Sequence, residues 1–327
     1  MPELRKDPFS TRWVIVAPER AGRPGSRLDR RGDAAPCPFC SGAENNTPPE
    51  VLAYRDDAGR PNGPGWRLRV VPNKYPALGA DESAESPQPS PFRESMSAVG
   101  AHEVIIESPD HVKRAAELGL TRLEEVLSAY RDRIAAHRAN DAWRYVLVYK
   151  NEGAAAGATL EHVHSQLVAA PLLPPDFSAE LRLADEFYRA RGRCRYCDWI
   201  EDERRDRSRL VSENGRFVAL CPYAPRFPYE TWILPIDHAA DFGSTAPSLR
   251  ALAEILQDLL GRIDRRLGRP ALNWVLRSAP LRGHENSYHW RFEVLPRITG
   301  VAGFEWGSGM FINTVPPEES AGALRSA

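Results

Sequence analysis

The sequence predicts an α+β protein made of two similar halves, each a mainly antiparallel sheet flanked by helices. Three observations carry that expectation. Cys37-Pro38-Phe39-Cys40 and Cys194-Arg195-Tyr196-Cys197 share the spacing of a metal knuckle. Each pair is followed by two histidines 51 residues apart, His111 and His162 in the first set, His238 and His289 in the second. Glu103 and Glu230 repeat in register, each eight residues before the first histidine of its set. Self-similarity of this kind points to an internal duplication of roughly 140 residues.

Both copies read as strands, a helix, then strands. The apolar runs His102-Glu103-Val104-Ile105-Ile106 and Glu230-Thr231-Trp232-Ile233-Leu234 supply the first strands. A helical pattern follows each first histidine, with Thr121 and Ser248 as candidate N-caps. Leu123, Val126, Leu127, Tyr130 and Ile134 recur on one face of the first helix. Leu252, Ile255, Leu256, Leu259, Leu260 and Ile263 do so in the second. Proline-rich Pro171-Leu172-Leu173-Pro174-Pro175 marks the boundary, giving halves 1–175 and 176–327. The acidic, proline-rich run Gly79 to Pro91 reads as a mobile loop.

A chain of 327 residues can bury a sizeable core. Its 43 basic and 44 acidic residues nearly cancel, so no global attraction to nucleic acid or a membrane is expected. No apolar run is long enough to span a bilayer, and the first residues lack the apolar centre of a signal peptide. The expected location is the cytoplasm.

Five cysteines, an odd number, argue against a disulfide framework. A redox role for a C-x-x-C pair is the alternative, but neither pair sits in a clear strand-to-helix context. Cys37, Cys40, His111 and His162 make one Cys₂His₂ set, and Cys194, Cys197, His238 and His289 make another. Both suit structural zinc, so two zinc ions per chain are expected. The competing reading keeps the cysteines as reduced core residues and the histidines as loop residues. Cys221 is left over, and His102, His137 and His284 read as ordinary polar residues.

Chemistry concentrates in His162-Val163-His164-Ser165-Gln166. On a strand the two imidazoles and the amide share one face. The small residues and glycines of the preceding run, Asn151 to Glu161, let backbone approach a charged ligand. Imidazole is a good nucleophile at neutral pH and can carry a phosphoryl-type group. A strand that merely holds a metal is the plainer reading. Registering the copies matches His162 with His289, Val163 with Trp290, His164 with Arg291 and Gln166 with Glu293. The second imidazole exists only in the first copy. With His162 spent on metal, His164 is the nucleophile, and one active centre per chain follows.

These residues resemble the galactose-1-phosphate uridylyltransferase family of the histidine-triad superfamily. The opening Arg5-Lys6-Asp7-Pro8 and Arg12 to Pro24, the run Val71 to Leu78, the central run Asn151 to Gln166, and the segment from Gly303 to Glu318 are each similar to a family segment. The resemblance implies two histidine-triad-like halves and a ping-pong reaction. A histidine matching His164 takes UMP from UDP-glucose, releases glucose 1-phosphate and passes UMP to galactose 1-phosphate. Gln166 and Ser165 would serve as donors to the phosphoryl oxygens, and an amide in the third place resembles the transferases rather than the hydrolases. Arg20, Arg23, Asn73, Asn151, Gly157 and Thr159 would line the nucleotide and phosphates, Glu305 would hold sugar hydroxyls, and a homodimer is implied. Val163 replaces the proline of many members, and Thr299 stands where some carry a lysine. The second Cys/His set is more like plant-type ADP-glucose phosphorylases, in which phosphate is the acceptor, while iron near that place in some relatives keeps a second metal in view. A zinc-stabilised nucleotide-binding protein without turnover is the non-enzymatic alternative.

Overall fold

Ten strands assemble into one antiparallel sheet in the computed structural model, which describes residues 2–18, 20, 36–56, 59–79, 90, 92–243 and 249–327. The first half supplies β1 (Glu3–Lys6), β2 (Trp13–Val16), β3 (Leu52–Arg55), β4 (Trp66–Pro72), β5 (Ser95–Ser97) and β6 (Ala101–Ile106). Helix α1 (Leu120–Arg138) precedes β7 (Tyr145–Glu152) and β8 (His164–Ala170). Then come α2 (Pro175–Arg191), α3 (Arg195–Asp206), β9 (Leu210–Glu213), β10 (Phe217–Leu220) and β11 (Thr231–Pro235). Helix α4 (Leu249–Leu267), β12 (Leu272–Arg277), β13 (Arg291–Pro296), α5 (Gly303–Ser308) and α6 (Pro317–Arg325) complete the chain.

The sheet order is β3-β4-β6-β8-β7-β12-β13-β11-β10-β9. Outward from the β7–β12 seam, each side shows the same succession: the strand after the long helix, its neighbour, the strand before the helix, then two earlier strands. The repeated motifs anticipate this succession. They do not anticipate that the halves fuse into a single sheet. Pairing β7 with β12, with Asn151 opposite Asn273 and Tyr149 opposite Val275, covers two edges that would otherwise expose unpaired backbone groups. A separate three-stranded sheet, β2-β1-β5, has no counterpart among the described residues of the second half.

One face of the large sheet carries α1 and α4, which pack on each other. The predicted apolar positions of both helices are buried there, in one core with Leu167, Trp274 and Phe292. Burying side chains of this size stabilises by about 1.5–3 kcal/mol each. Thr121 is not the cap of α1. The helix starts at Leu120, and Gly119 takes the capping place at φ 72°, a backbone conformation that threonine rarely adopts. Ser248, and all of the 79–91 run except Gly79 and Ser90, lie outside the described residues.

Strand alternation leaves the other face for polar side chains. On β8, Leu167 and Ala169 point into the helix-packed core, and His164 and Gln166 point away from it.

Candidate active site and metal centres

Both Cys/His sets converge. In each, four ligand atoms, one per residue of Cys37, Cys40, His111 and His162 or of Cys194, Cys197, His238 and His289, lie within 4.8 Å of one another. Cys40 Sγ is 3.4 Å from His111 Nδ1 and 3.6 Å from His162 Nδ1, and Cys37 Sγ is 3.6 Å from His162 Nδ1. In the second set Cys197 Sγ is 3.3 Å from His238 Nδ1 and 3.7 Å from His289 Nδ1. A tetrahedral zinc bound at about 2.3 Å to sulfur and about 2.0 Å to nitrogen has S···N edges of roughly 3.6 Å. The two groups are therefore consistent with zinc.

The same backbone scaffold builds both. Val163 N–H donates to Val112 O and Trp290 N–H to Ala239 O, each at 2.8 Å, which brings the two histidines of each set together. His162 Nε2 donates to Ser108 O and His289 Nε2 to Pro235 O, each at 2.9 Å, and His238 Nε2 to Glu285 O at 2.8 Å. These bonds leave Nδ1 as the ligand nitrogen. Burial pushes the His162 imidazole down to about 4, so it is neutral, as a ligand must be. Burial, with Cys37 beside it, pushes the Cys40 thiol up to about 11, a shift that a bound divalent cation would reverse.

His164 follows directly on the first metal group. Its Nδ1 lies 2.7 Å from His162 O, so Nδ1 carries the hydrogen and the lone pair resides on Nε2. Phe39, inside the cysteine knuckle, packs edge-on at 5.2 Å between ring centroids. Behind the strand, buried Lys150 donates to His164 O at 3.1 Å and to Glu107 at 2.6 Å. Phe39, Lys150 and Glu107 went unremarked in the sequence, since only the sheet brings them to this place.

Ser165 corrects an expectation. Its side chain points to the opposite face, where the hydroxyl donates to Glu107 and meets Tyr130 OH in a fully buried cluster. Period-two alternation sends it away from His164 and Gln166, so the hydroxyl is not a donor to the phosphoryl group.

Gln166 gathers a cluster. Its Oε1 lies 3.0 Å from His102 Nε2, 3.1 Å from Tyr149 OH and 3.5 Å from Asn73 Nδ2. Asn73 thus sits against Gln166, and Arg20 donates to the carbonyl of nearby Tyr75. His102, read as an ordinary polar residue, belongs to the site. The glycine-rich loop after β7 brings the next group: Gly153 and Gly157 have φ of 83° and 85°, and a Cβ on Gly153 would meet Ala271 Cβ at 2.8 Å. Asn273, from the second half, donates to Asn151 Oδ1 at 2.8 Å and to Ala156 O at 2.9 Å, fixing that loop. Gly157 lies beside the Asn151 amide, and Thr159 is half-buried on the same loop. Glu305 is not brought to this cluster. It is half-buried on α5, with its carboxylate accepting Ala302 N–H at 3.0 Å, and its segment packs Phe311 against Phe227. Arg23 lies outside the described residues.

At the matching place in the second half, Arg291 donates to Glu293 at 2.8 Å and to Glu180 at 2.5 Å and stacks 4.4 Å from the Trp232 ring.

Known proteins fit this geometry. The model of the galactose-1-phosphate uridyl transferase N-terminal domain matches residues 65–174. The chain is 35% identical to an ADP-glucose phosphorylase of Arabidopsis thaliana, over 99% of this chain and 92% of that protein. It is 27% identical to a galactose-1-phosphate uridylyltransferase of Thermotoga maritima, over 99% of this chain and 98% of that protein. The crystal structure of the Arabidopsis ADP-glucose phosphorylase with bound ADP-glucose matches at TM-score 0.78 and 34% identity, covering 100% and 99% of the two chains. A uridylyltransferase structure matches at TM-score 0.83 and 28% identity, covering 99% and 97%. Fold and site together define a histidine-triad-like protein of the nucleotidyltransferase class. Within that class, the chain belongs to the galactose-1-phosphate uridylyltransferase family.

Proposed function

We propose that the enzyme moves a nucleoside monophosphate from a nucleoside-diphosphate hexose to a phosphate-bearing acceptor through a covalent intermediate on His164. The observation that carries this reading is the 2.7 Å contact from His164 Nδ1 to His162 O. It holds the tautomer in which Nε2 can attack the α-phosphorus. The N–P bond forms, the bond to the β-phosphate oxygen breaks, and hexose 1-phosphate leaves. An acceptor phosphate oxygen then attacks the same phosphorus, and the N–P bond breaks. Positive charge that grows on the imidazole is met by the His162 carbonyl, and Gln166 donates to the phosphoryl oxygens.

The proposed donor and acceptor are UDP-glucose and galactose 1-phosphate. Identity of 35% to the Arabidopsis ADP-glucose phosphorylase favours a second reading, ADP-glucose as donor and inorganic phosphate as acceptor. Arg20, Asn73, Asn151, Gly157 and Thr159 are the proposed nucleotide and phosphate contacts, with Arg23 added from sequence alone. Glu305 is the proposed sugar contact. Two zinc ions per chain are proposed, since a thiolate pair in each set favours zinc over iron. Metal at the first set fixes His162 and thereby the carbonyl that orients His164. Among the described residues no helix is long and apolar enough to cross a membrane, and a cytoplasmic location is proposed. The halves 1–175 and 176–327 are proposed as the units of duplication. A homodimer is supported by the exposed run Phe304, Trp306, Met310, Phe311 and Ile312, with Trp306 77% exposed.

Turnover assays with the two donor and acceptor pairs test the reading. Incorporation of labelled phosphate into ADP in the presence of ADP-glucose selects the phosphorylase, and incorporation of labelled galactose 1-phosphate into UDP-galactose selects the uridylyltransferase. Hydrolysis alone, or binding without turnover, contradicts both.

A further inference from the structure

We infer that His102 is a positioning residue that decides which end of the Gln166 carboxamide faces the reacting phosphoryl group, an inference that rests on the nucleotidyl-transfer reading above. Only the NH₂ end of Gln166 can stabilise developing negative charge; the carbonyl end would repel it. An amide has little intrinsic preference between its two orientations, so its neighbours must choose.

Three groups approach Gln166 Oε1, but they are not equivalent. Tyr149 OH, at 3.1 Å, is a hydroxyl that can donate or accept, so it would tolerate either orientation. Asn73 Nδ2 is a donor whose own amide is set by Tyr75 N–H on its Oδ1 at 2.8 Å, yet it stands at 3.5 Å, the edge of hydrogen-bond range. His102 is close and also fixed. Its Nδ1 accepts Ala77 N–H at 2.9 Å, and a backbone amide cannot become an acceptor. The proton of the neutral ring is therefore on Nε2, which donates to Gln166 Oε1 at 3.0 Å. The 3.1 Å approach of Asn73 Nδ2 to His102 Nε2 is then a meeting of two donors, not a hydrogen bond. Flipping Gln166 would set its NH₂ against the His102 N–H in a site where His102 and Gln166 are both buried.

The second half supports the assignment. There the residue matching Gln166 is Glu293, whose two oxygens are equivalent and need no orienting, and the residue matching His102 is Tyr229. Where the amide is absent, the histidine is absent too.

The test is rapid-quench intact-mass measurement of nucleotidylation by UDP-glucose and by ADP-glucose. A glutamine can place its amide nitrogen near the position of His102 Nε2, whereas an asparagine cannot reach it. His102→Ala and His102→Asn should slow nucleotidylation about tenfold, less than loss of a direct donor costs. Donor affinity and zinc content should be unchanged, while His102→Ala lowers the unfolding temperature because the Ala77 N–H loses its acceptor. His102→Gln should recover most of the rate. In a Gln166→Ala background, His102→Ala should have no further effect, because the residue acts through Gln166. An equal loss in both backgrounds, or equal rates for His102→Asn and His102→Gln, overturns the inference. Absence of adduct in the unmodified protein overturns the nucleotidyl-transfer reading instead, and this inference with it.

Discussion

His164 and Arg291 hold matching places at the starts of β8 and β13, each two residues after a metal-group histidine, and the two halves use that place in opposite ways. In the first half the groups around Gln166 Oε1 are the His102 imidazole, the Tyr149 phenol and the Asn73 carboxamide, none of them a fixed charge. In the second half Glu293 accepts Arg226 at 2.6 Å, Arg277 at 3.0 Å and Arg291 at 2.8 Å, and Glu180 takes the far side of Arg291. The knuckle aromatic follows suit: Phe39 packs on His164, whereas Tyr196 OH receives a hydrogen bond from Arg291 at 3.2 Å. Three guanidiniums are balanced by Glu180, Glu230 and Glu293, so this cluster presents no unpaired positive charge to a phosphate. The Cys/His group is repeated in both halves, and what differs is the residue two places beyond its last histidine. Chemistry requires a nucleophile whose surroundings are polar but not self-neutralising.

Several substitutions would break or sharpen this contrast. The largest effect should come from Cys194→Ser or Cys197→Ser, which should lower bound zinc from two ions to one by metal analysis. The lost site forfeits binding energy of about 10 kcal/mol, which in such sites is folding energy, so the second half should unfold first on heating. His164→Ala should lower nucleotidyl transfer at least about a thousandfold, roughly 4 kcal/mol, with zinc content unchanged. His162→Ala should reduce both activity and zinc, which separates ligand from nucleophile. Arg291→Met should destabilise by about 3 kcal/mol in denaturant titration, because Glu180 and Glu293 lose a buried partner. Nucleotidylation should survive that change, and its loss would mean that the second half takes part in the chemistry.

The smallest effect is one of pH. Although burial opposes it, the charge and hydrogen bonds of Arg291 hold the Glu180 carboxyl down at about 2. A carboxyl depressed in the folded state contributes stability above about pH 4.5, lost as pH falls toward 2. Glu180→Gln should therefore flatten acid destabilisation across that window, and an unchanged acid unfolding curve would remove the network from the stability account.

The metal groups, the helix faces and the asymmetry between His164 and Arg291 were legible in the sequence, because each rests on spacing within one copy or on register between copies. Ser165 was misjudged although the signal was present, since alternation along β8 already separates it from its neighbours. His102 was not legible. It meets Gln166 only through β6–β8 pairing, 64 residues away along the chain, and an isolated histidine near a strand gives no sign of that partner. Asn273 is similar, because its hold on the Asn151 loop depends on fusion of the halves at β7–β12. The start of α1 at Leu120 is not legible because Gly119, with positive φ, takes the place expected for a hydroxyl cap.

One half of the duplicated scaffold is proposed to carry the covalent chemistry. Intact-mass and peptide analysis after incubation with UDP-glucose or ADP-glucose, without acceptor, tests it most directly. The expected result is a mass increase of one nucleoside monophosphate per chain, mapped to His164, discharged when galactose 1-phosphate or inorganic phosphate is added, and absent from His164→Ala. An adduct on a peptide of the second half, or turnover of the nucleotide sugar with no adduct on His164, would contradict it.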